Sequence, residues 1–276
     1  MRWNKAKTLT VLGFIGKLLV GVLVISPILL GISFSFMSPS ELASIPPHLV
    51  PQEPVTYTYQ KVLQSIPLFR FLGNSMIVCT IVIVGQILTC SLAAYAFSFF
   101  HFKGQRILFL AVLATMMIPV DSIIIANYLT ISKLKLSDTY IALVAPYLTS
   151  AMGIFLMRQS FLTIPKELHE AATVDGCGHF RFWFSIVMPI SKPAIASLGV
   201  YIFIQTYNQF LWPLLVTNTN NMRTVQIGMS ILREAEAVDY GTVLAGAVMV
   251  LIPSVFVFIV GQKYLVKGMT AGSVKG

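Results

Sequence analysis

Polar side chains that could contact a ligand stand inside otherwise apolar stretches of this 276-residue sequence. The candidates are Asp121, Asn127, Gln205, Asn208, Gln209 and Trp212. Because polar groups are costly in an apolar layer, they usually face a bundle interior or water. Amides and an indole suit the hydroxyl groups and ring faces of a sugar, and Asp121 closely follows a helix-breaking proline. The alternative for each is a hydrogen bond that packs one helix against another.

Motifs for covalent chemistry do not occur in the sequence. There is no GxxxxGK[ST] phosphate loop, since Gly13 to Lys17 supplies only GxxGK inside an apolar run. There is neither an HExxH nor a GxSxG motif, and Cys79, Cys90 and Cys177 lack the spacing of metal ligands. We therefore expect no catalytic residue, no metal site and no cofactor on this chain, and we expect that it is not an enzyme.

The composition is typical of a membrane protein. Hydrophobic residues make up 56% of the chain and charged residues 11%, and the mean hydropathy is +0.81, which soluble domains do not show. The formal net charge is +9, but Lys and Arg are dispersed between apolar runs and form no basic stripe with interleaved aromatic residues. We interpret the charge as topological and expect no nucleic-acid partner.

Six apolar segments are long enough to cross a hydrocarbon core of about 30 Å as helices. The first lacks a small-x-small cleavage site and is too long for a signal peptide, so we interpret it as a retained span. The predicted fold is an all-α membrane protein with about six transmembrane helices in a single transmembrane domain, residues 1–276. Five spans is the nearest alternative, because Pro119 interrupts the third segment and the fourth is short. The segments are residues 10–36, 72–97, 107–129, 140–157, 194–216 and 243–264.

The distribution of Lys and Arg predicts the orientation of these spans. If the amino terminus is inside, the inner segments carry more Lys and Arg than the outer ones, and short basic loops stay in the cytoplasm. Both termini are therefore predicted to be cytoplasmic. Residues 158–193, between the fourth and fifth spans, then form the longest inner connection. Its composition is not typical of disorder, so we expect a partner to bind it.

Residues 163–176 of this connection predict a short helix. Pro165 suits a first helical turn, where its missing N–H would be unpaired anyway, and Glu167 favours the positive end of the helix dipole. Gly176 can end the helix, and residues 180–186 predict a second, aromatic one. A narrow apolar stripe is expected at helical spacing, on Leu168, Ala171 and Ala172.

A few residues of the connection have a distinctive spacing, namely Glu170, Ala171, Ala172, Gly176, Ile186 and Pro189. The arrangement resembles the EAA loop of permease subunits in bacterial ATP-binding-cassette (ABC) importers. In that pattern Glu-Ala-Ala is followed after three residues by Gly and after nine more by Ile-x-Leu-Pro, and the same spacing occurs here. Met188 replaces the usual Leu, which conserves volume. On amphipathicity alone, the segment would equally be a hairpin resting on lipid headgroups, with Glu170 a solvated charge.

The resemblance extends along nearly the whole chain to the carbohydrate-uptake branch of these permeases. Within that branch the chain resembles the second permease subunit of maltose-type and sn-glycerol-3-phosphate-type systems. This implies a permease for a sugar or a related polyol or glycerol phosphate compound in the bacterial cytoplasmic membrane. The matching segments are residues 74–75, 117–119, 155–158, 207–214 and 267–268.

The resemblance also implies partners. The EAA loop would dock in a cleft of an ATPase subunit, with Glu170 as its polar anchor. A second permease subunit would form a heterodimer with this chain, two ATPase subunits would bind ATP and Mg²⁺, and an extracytoplasmic solute-binding protein would deliver the substrate. Membrane lipid would surround the spans. The main alternative is a secondary transporter driven by an ion gradient, in which Asp121 would bind the proton or cation.

Overall fold

The computed structural model describes the backbone of residues 2–236 and 239–270, and within it the side chains outside residues 2–9, 11–12, 120–121 and 264–270. This part of the chain contains helices, turns and loops but no strand, which confirms the predicted all-α class. The α-helices are α1 (Arg2–Phe34), α2 (Pro39–Leu42), α3 (Tyr57–Ser65), α4 (Leu68–Phe99), α5 (Gln105–Ala114), α6 (Val120–Lys133), α7 (Tyr140–Val144), α8 (Ala151–Phe161), α9 (Lys166–Val174), α10 (His179–Phe182), α11 (Met188–Ile190), α12 (Lys192–Tyr207), α13 (Leu211–Val216), α14 (Val225–Ala235) and α15 (Tyr240–Thr270).

Three helices are long and apolar enough to cross a membrane by themselves, and they are Gly13–Phe34 in α1, Leu68–Phe99 and Tyr240–Lys263 in α15. Three more segments reach that length as bent pairs, which are Gln105–Met117 with Ser122–Lys133 at 98°, Tyr140–Tyr147 with Ala151–Phe161 at 52°, and His179–Ile190 with Lys192–Tyr207 at 78°. By length and composition, the described residues therefore hold three spans, or up to six if each bent pair is one span. This range includes the predicted count.

The fifth predicted span, residues 194–216, is not one continuous helix. α12 ends at Tyr207 and α13 begins at Leu211 after an irregular stretch. Pro213 explains the break, because proline lacks an N–H and its ring would clash with the carbonyl group of Gln209 in a continuous helix. α12 forms a bent pair with the segment His179–Ile190 and not with α13. That segment lies in the predicted connection between the fourth and fifth spans.

The chain divides into two compact units, residues 1–68 with 229–252 and residues 69–228 with 253–276. In the first unit, Lys61 Nζ lies 2.5 Å from Glu236 Oε2 and 3.1 Å from Asp239 Oδ2. Asp239 also accepts a hydrogen bond from the N–H of Thr242 at 3.1 Å, which caps α15. Burial raises the pKa of Asp239, but hydrogen bonds from Thr242 and Lys61 outweigh burial and lower the pKa below its ordinary value.

In the second unit, α4 supplies the hydrogen bonds that the broken fourth span needs. The 52° bend between α7 and α8 frees carbonyl groups in the turn that joins them, and lipid offers them no donor. Gln86 Nε2 donates to the Tyr147 carbonyl at 2.8 Å, and Thr89 Oγ1 donates to the Leu148 carbonyl at 2.6 Å. Ser150 Oγ donates to Gln86 Oε1 at 2.9 Å and caps α8 by accepting from the N–H of Gly153 at 3.0 Å.

Two glycines, Gly85 and Gly153, allow α4 to pack closely against α8 and the turn before it. A Cβ atom added to Gly153 of α8 would lie 2.7 Å from Cys90 Sγ of α4, and one added to Gly85 would lie 2.6 Å from the side chain of Leu148. Cys90 is fully buried. The two glycines therefore allow α8 and the turn before it to reach α4 closely enough for the hydrogen bonds of Gln86.

We expect Gly153→Val to destabilise the protein by about 1–3 kcal/mol, the usual cost of overpacking a close contact. Gly73→Val in α4 is the matched control, because a Cβ atom there would meet nothing within 4 Å. Thermal unfolding of the two purified variants in detergent should show a lower midpoint for Gly153→Val alone. Equal midpoints would contradict the close packing of α8 on α4.

Candidate functional site

α9 (Lys166–Val174) carries most of the residues of the EAA pattern. Pro165 immediately precedes it, and the Pro165 carbonyl accepts a hydrogen bond from the N–H of Leu168 at 3.2 Å. α9 therefore begins directly after Pro165, as the sequence predicted. Glu167 stands in the first turn, where a carboxylate interacts favourably with the helix dipole.

Gly176 ends α9 in a Schellman motif. Its φ is 72°, a left-handed conformation that glycine adopts without steric cost. The N–H of Gly176 donates to the Thr173 carbonyl at 3.0 Å, and the N–H of Cys177 donates to the Ala172 carbonyl at 2.8 Å, which are the two bonds of the motif. A Cβ atom at Gly176 would meet nothing within 4 Å, so the backbone conformation and not crowding makes glycine suitable here.

The two alanines of the pattern point in different directions. Ala172 is only 7% exposed and belongs to the hydrophobic core of the second unit, whereas Ala171 and Glu170 are exposed. Successive residues on a helix are about 100° apart, which separates neighbouring side chains in this way. The expected stripe of Leu168, Ala171 and Ala172 is therefore corrected. Ala172 anchors α9 to the core, and Glu170, Ala171 and Val174 form the outward face, with Val174 88% exposed.

Five aromatic side chains fix the position of α9, and we call them the aromatic cluster. They are Tyr95 and Phe99 of α4, His169 of α9, and His179 and Phe182 of α10. The His169 and Phe182 ring centroids are 4.9 Å apart, and those of His169 and Phe99 are 5.5 Å apart. The Tyr95 hydroxyl lies 3.0 Å from His179 Nδ1. The sequence analysis missed this cluster, although the aromatic run at the end of the second predicted span, residues 95–100, was a signal for it.

The second half of the pattern lies on the helical segment His179–Ile190, which contains a π-helical stretch at Trp183–Val187. Ile186 is half-buried and packs against the same core as Ala172, while Pro189 is exposed. The core thus joins the two halves of the pattern.

Trp212 is used in helix packing. It is only 2% exposed, and its indole Nε1 donates to the Ala142 carbonyl at 3.1 Å. Its ring meets that of Tyr147 edge-on, with centroids 6.3 Å apart. This geometry favours the packing alternative for Trp212 over contact with a substrate.

The other pathway candidates are more accessible. Gln205 and Asn208 are exposed and stand three residues apart at the end of α12, which places them on one face. Asn208 Nδ2 donates to the Ile204 carbonyl at 2.8 Å. Half-buried positions are found for Asn127 and Gln209, and the side chain of Asp121 is outside the described residues.

A metal site is not formed by the described residues, since no group of three His, Cys, Asp or Glu side chains there could hold an ion.

A family model described as the inner membrane component of binding-protein-dependent transport systems matches residues 86–271. The chain belongs to this family. It is therefore a permease of a binding-protein-dependent ABC importer, and the resemblance inferred from the EAA pattern is confirmed. The matched range includes α9, the helical segment His179–Ile190, α12 and the carboxyl-terminal part of α4 from Gln86 onward.

Two sequence relatives of this permease are named as transport permeases. UgpE of Rhizobium meliloti, an sn-glycerol-3-phosphate transport system permease protein, is 38% identical over 264 residues, covering 91% of this chain and 93% of UgpE. AraQ of Halalkalibacterium halodurans, an arabinooligosaccharides transport system permease protein, is 36% identical over 208 residues, covering 75% of each chain. These relatives are transporters and not enzymes.

A solved structure has the same fold as this permease. It is a chain from a bacterial ABC transporter involved in the import of the acidic polysaccharide alginate. The two chains superpose with a TM-score of 0.80 at 22% sequence identity, covering 92% of this chain and 96% of the other.

We expect Phe182→Ala to loosen α9, because Phe182 is 1% exposed and truncating a buried Phe costs about 3–5 kcal/mol. Hydrogen exchange of the permease should become faster over residues 166–174. Phe184→Ala is the matched control, since Phe184 is 64% exposed. The aromatic cluster would not hold α9 if both variants exchanged like the wild type.

Proposed function

We propose that this chain is one of two permease subunits of an ATP-driven importer for a sugar or a related polyol or glycerol phosphate compound. It lines half of the translocation pathway. The second permease subunit completes the pathway, two ATPase subunits bind ATP and Mg²⁺, and an extracytoplasmic solute-binding protein delivers the substrate. Both termini and α9 face the cytoplasm of the bacterium. The names of UgpE and AraQ support this substrate range.

The observation that carries the proposal is the rigid attachment of α9 with a small outward face. The aromatic cluster and Ala172 hold one side of the helix, and the Schellman motif at Gly176 sets the direction in which the chain leaves it. The outward face presents Ala171, a side chain small enough for close seating in a groove, beside the Glu170 carboxylate. A helix held in this way transmits the motion of an ATPase subunit to the spans and does not bend locally.

Glu170 is proposed to be the polar anchor to a basic group of the ATPase subunit. Its side chain is exposed, and among the described residues it has no ion-pair partner within 4.0 Å. A carboxylate that is not engaged inside the chain is available to a partner. Ile186 and Pro189 act on coupling indirectly, because they belong to the helical segment that packs behind α9.

The substrate pathway is proposed to include the exposed amides near the end of α12, Gln205 and Asn208. Gln209, Asn127 and Asp121 remain predicted contacts of the substrate along this pathway. No Lys or Arg lies in the middle of a predicted span, which favours a neutral sugar over a phosphorylated compound unless a partner supplies the cations.

Substituting Glu170 and Asp121 separately distinguishes the importer from a secondary transporter driven by an ion gradient. Membership of the family does not favour the secondary transporter. We expect Glu170→Ala to reduce transport by the reconstituted importer at least about tenfold, because a hydrogen bond to a charged group contributes about 1.5–3 kcal/mol. Asp121→Asn should leave ATP-dependent uptake in place, because the amide can still form a hydrogen bond at this predicted substrate contact but cannot bind a proton.

Uptake assays in proteoliposomes, with and without ATP and with and without an ion gradient, measure both effects. Glu234→Ala, which removes an exposed carboxylate of α14, is the control for lost charge. Uptake that follows the ion gradient without ATP, and that is lost in Asp121→Asn but kept in Glu170→Ala, would support the secondary transporter instead.

Changing Gly176 to Val should uncouple ATP hydrolysis from transport in a folded protein. A β-branched residue at a φ of 72° costs about 1–2 kcal/mol, so the exit from α9 would relax to another direction. Gly178→Val is the matched control, because the φ of Gly178 is −68° and a Cβ atom there meets nothing within 4 Å. Gly176→Asn should recover much of the coupling, since Asn tolerates the left-handed conformation.

The measurement for Gly176 is the ratio of ATP hydrolysed to substrate transported in the reconstituted complex. A normal ratio in Gly176→Val would refute the docking role of α9. The amount of assembled complex after size-exclusion chromatography separates uncoupling from failure to fold.

A further inference from the structure

A cavity of about 690 Å³ lies beside α9 in the second unit. Its walls come from the end of α4, the start of α5, the end of α8 and the start of α9. Basic residues are concentrated in these walls, with Arg106, Arg158 and Lys166 each from a different helix, and Glu170 is the acidic residue among them. Because these three cations stand on three different helices, an anion in the cavity would meet positive charge from several sides.

Arg158 is held in place for such a contact. Its Nε donates to the Phe97 carbonyl at 3.2 Å, and its guanidinium carbon lies 4.2 Å from the centroid of the Phe109 ring. Among the described residues, neither its terminal nitrogens nor Arg106 nor Lys166 has a carboxylate within 4.0 Å, since the ion pairs found there belong to Lys61. A planar guanidinium group fixed in this way suits a phosphate oxygen pair.

Most of the remaining residues of the cavity wall are apolar, and Ser98 and Gln105 also line it. Phe99, Phe109, Phe161 and Leu110 line it, and Leu110 is also 54% exposed on α5. The neighbouring side chain Ile107 on α5 is 75% exposed. The cavity therefore joins a set of basic groups to an exposed apolar helix surface, and a ligand that fits both carries a phosphate and a hydrocarbon chain.

We propose that this cavity binds the headgroup phosphate of an anionic phospholipid, with an acyl chain along α5. Basic pockets between helices at the cytoplasmic face bind such headgroups. The phosphate would contact Arg106, Arg158 and Lys166 together and so connect α5, α8 and α9. This inference rests on the proposed function in one respect, namely that the cavity and α9 lie at the inner face of the membrane. A bound lipid would then add to the forces that hold α9.

The binding test uses the complete importer, purified in detergent and studied by native mass spectrometry with phosphatidylglycerol or phosphatidylcholine added. We expect the wild-type complex to retain phosphatidylglycerol preferentially. The double substitution Arg106→Gln and Lys166→Gln should weaken this binding at least about tenfold, given roughly fivefold for each cation near an anionic headgroup. It spares Arg158, whose packing on Phe109 contributes to the fold.

The matched control is Lys103→Gln with Lys133→Gln, which lowers the net charge equally at two exposed residues outside the cavity. It should retain phosphatidylglycerol like the wild type. Equal retention of the two lipids by the wild type, or equal loss in both double variants, would overturn the proposal. Displacement of the lipid by millimolar inorganic phosphate would also overturn it, because the site would then belong to a soluble phosphate.

ATP hydrolysis and uptake by the same complexes in phosphatidylcholine vesicles separate this proposal from the proposed function. A complex with substrate-stimulated hydrolysis but no preference for phosphatidylglycerol refutes the lipid site alone. A complex that retains phosphatidylglycerol preferentially but shows no ATP-dependent uptake of a sugar, polyol or glycerol phosphate refutes the proposed function and leaves the lipid site intact.

Discussion

A helix that breaks inside an apolar layer leaves backbone carbonyl groups that neither lipid nor the helix itself can satisfy. The second unit meets this constraint through α4, which is long and apolar enough to cross a membrane by itself. Gln86 and Thr89 donate to the carbonyl groups freed between α7 and α8, and Gly153 lets α8 come close enough for these bonds to form. Gln86 and Thr89 therefore serve the fold, and the bend of the broken span depends on their hydrogen bonds.

The same helix also sets the position of α9. At its far end, Tyr95 and Phe99 of α4 contact His169 and His179 across the connection, and Ala172 packs into the core that α4 helps to form. Rotation of α9 relative to α4 would separate the rings of His169 and Phe99, which are half-buried. In the proposed importer, a force applied to the outward face of α9 would be transferred to α4 through these packed rings, as a coupling helix requires.

The outward face of α9 and the basic cavity share one short helix. Lys166 and Glu170 both line the cavity, and they lie one helical turn apart. In the proposed importer, the carboxylate would bind the ATPase subunit while the ammonium group binds a lipid phosphate. Lipid composition and ATPase docking would then act on the same element, so that the membrane contributes to how firmly α9 is held.

The sequence by itself determined the all-α membrane class, the length and order of most spans, and the family, because apolar runs and the spacing of Glu170, Gly176 and Pro189 are local properties of the chain. It also located the start and end of α9, since proline and glycine act on their own backbone. Only the tertiary structure decided that Ala172 faces inward while Ala171 faces outward, that the indole of Trp212 is bonded to a backbone carbonyl, and that three cations meet in one cavity. These outcomes depend on contacts between residues far apart in the chain, and helical periodicity does not specify which neighbour a given face will meet.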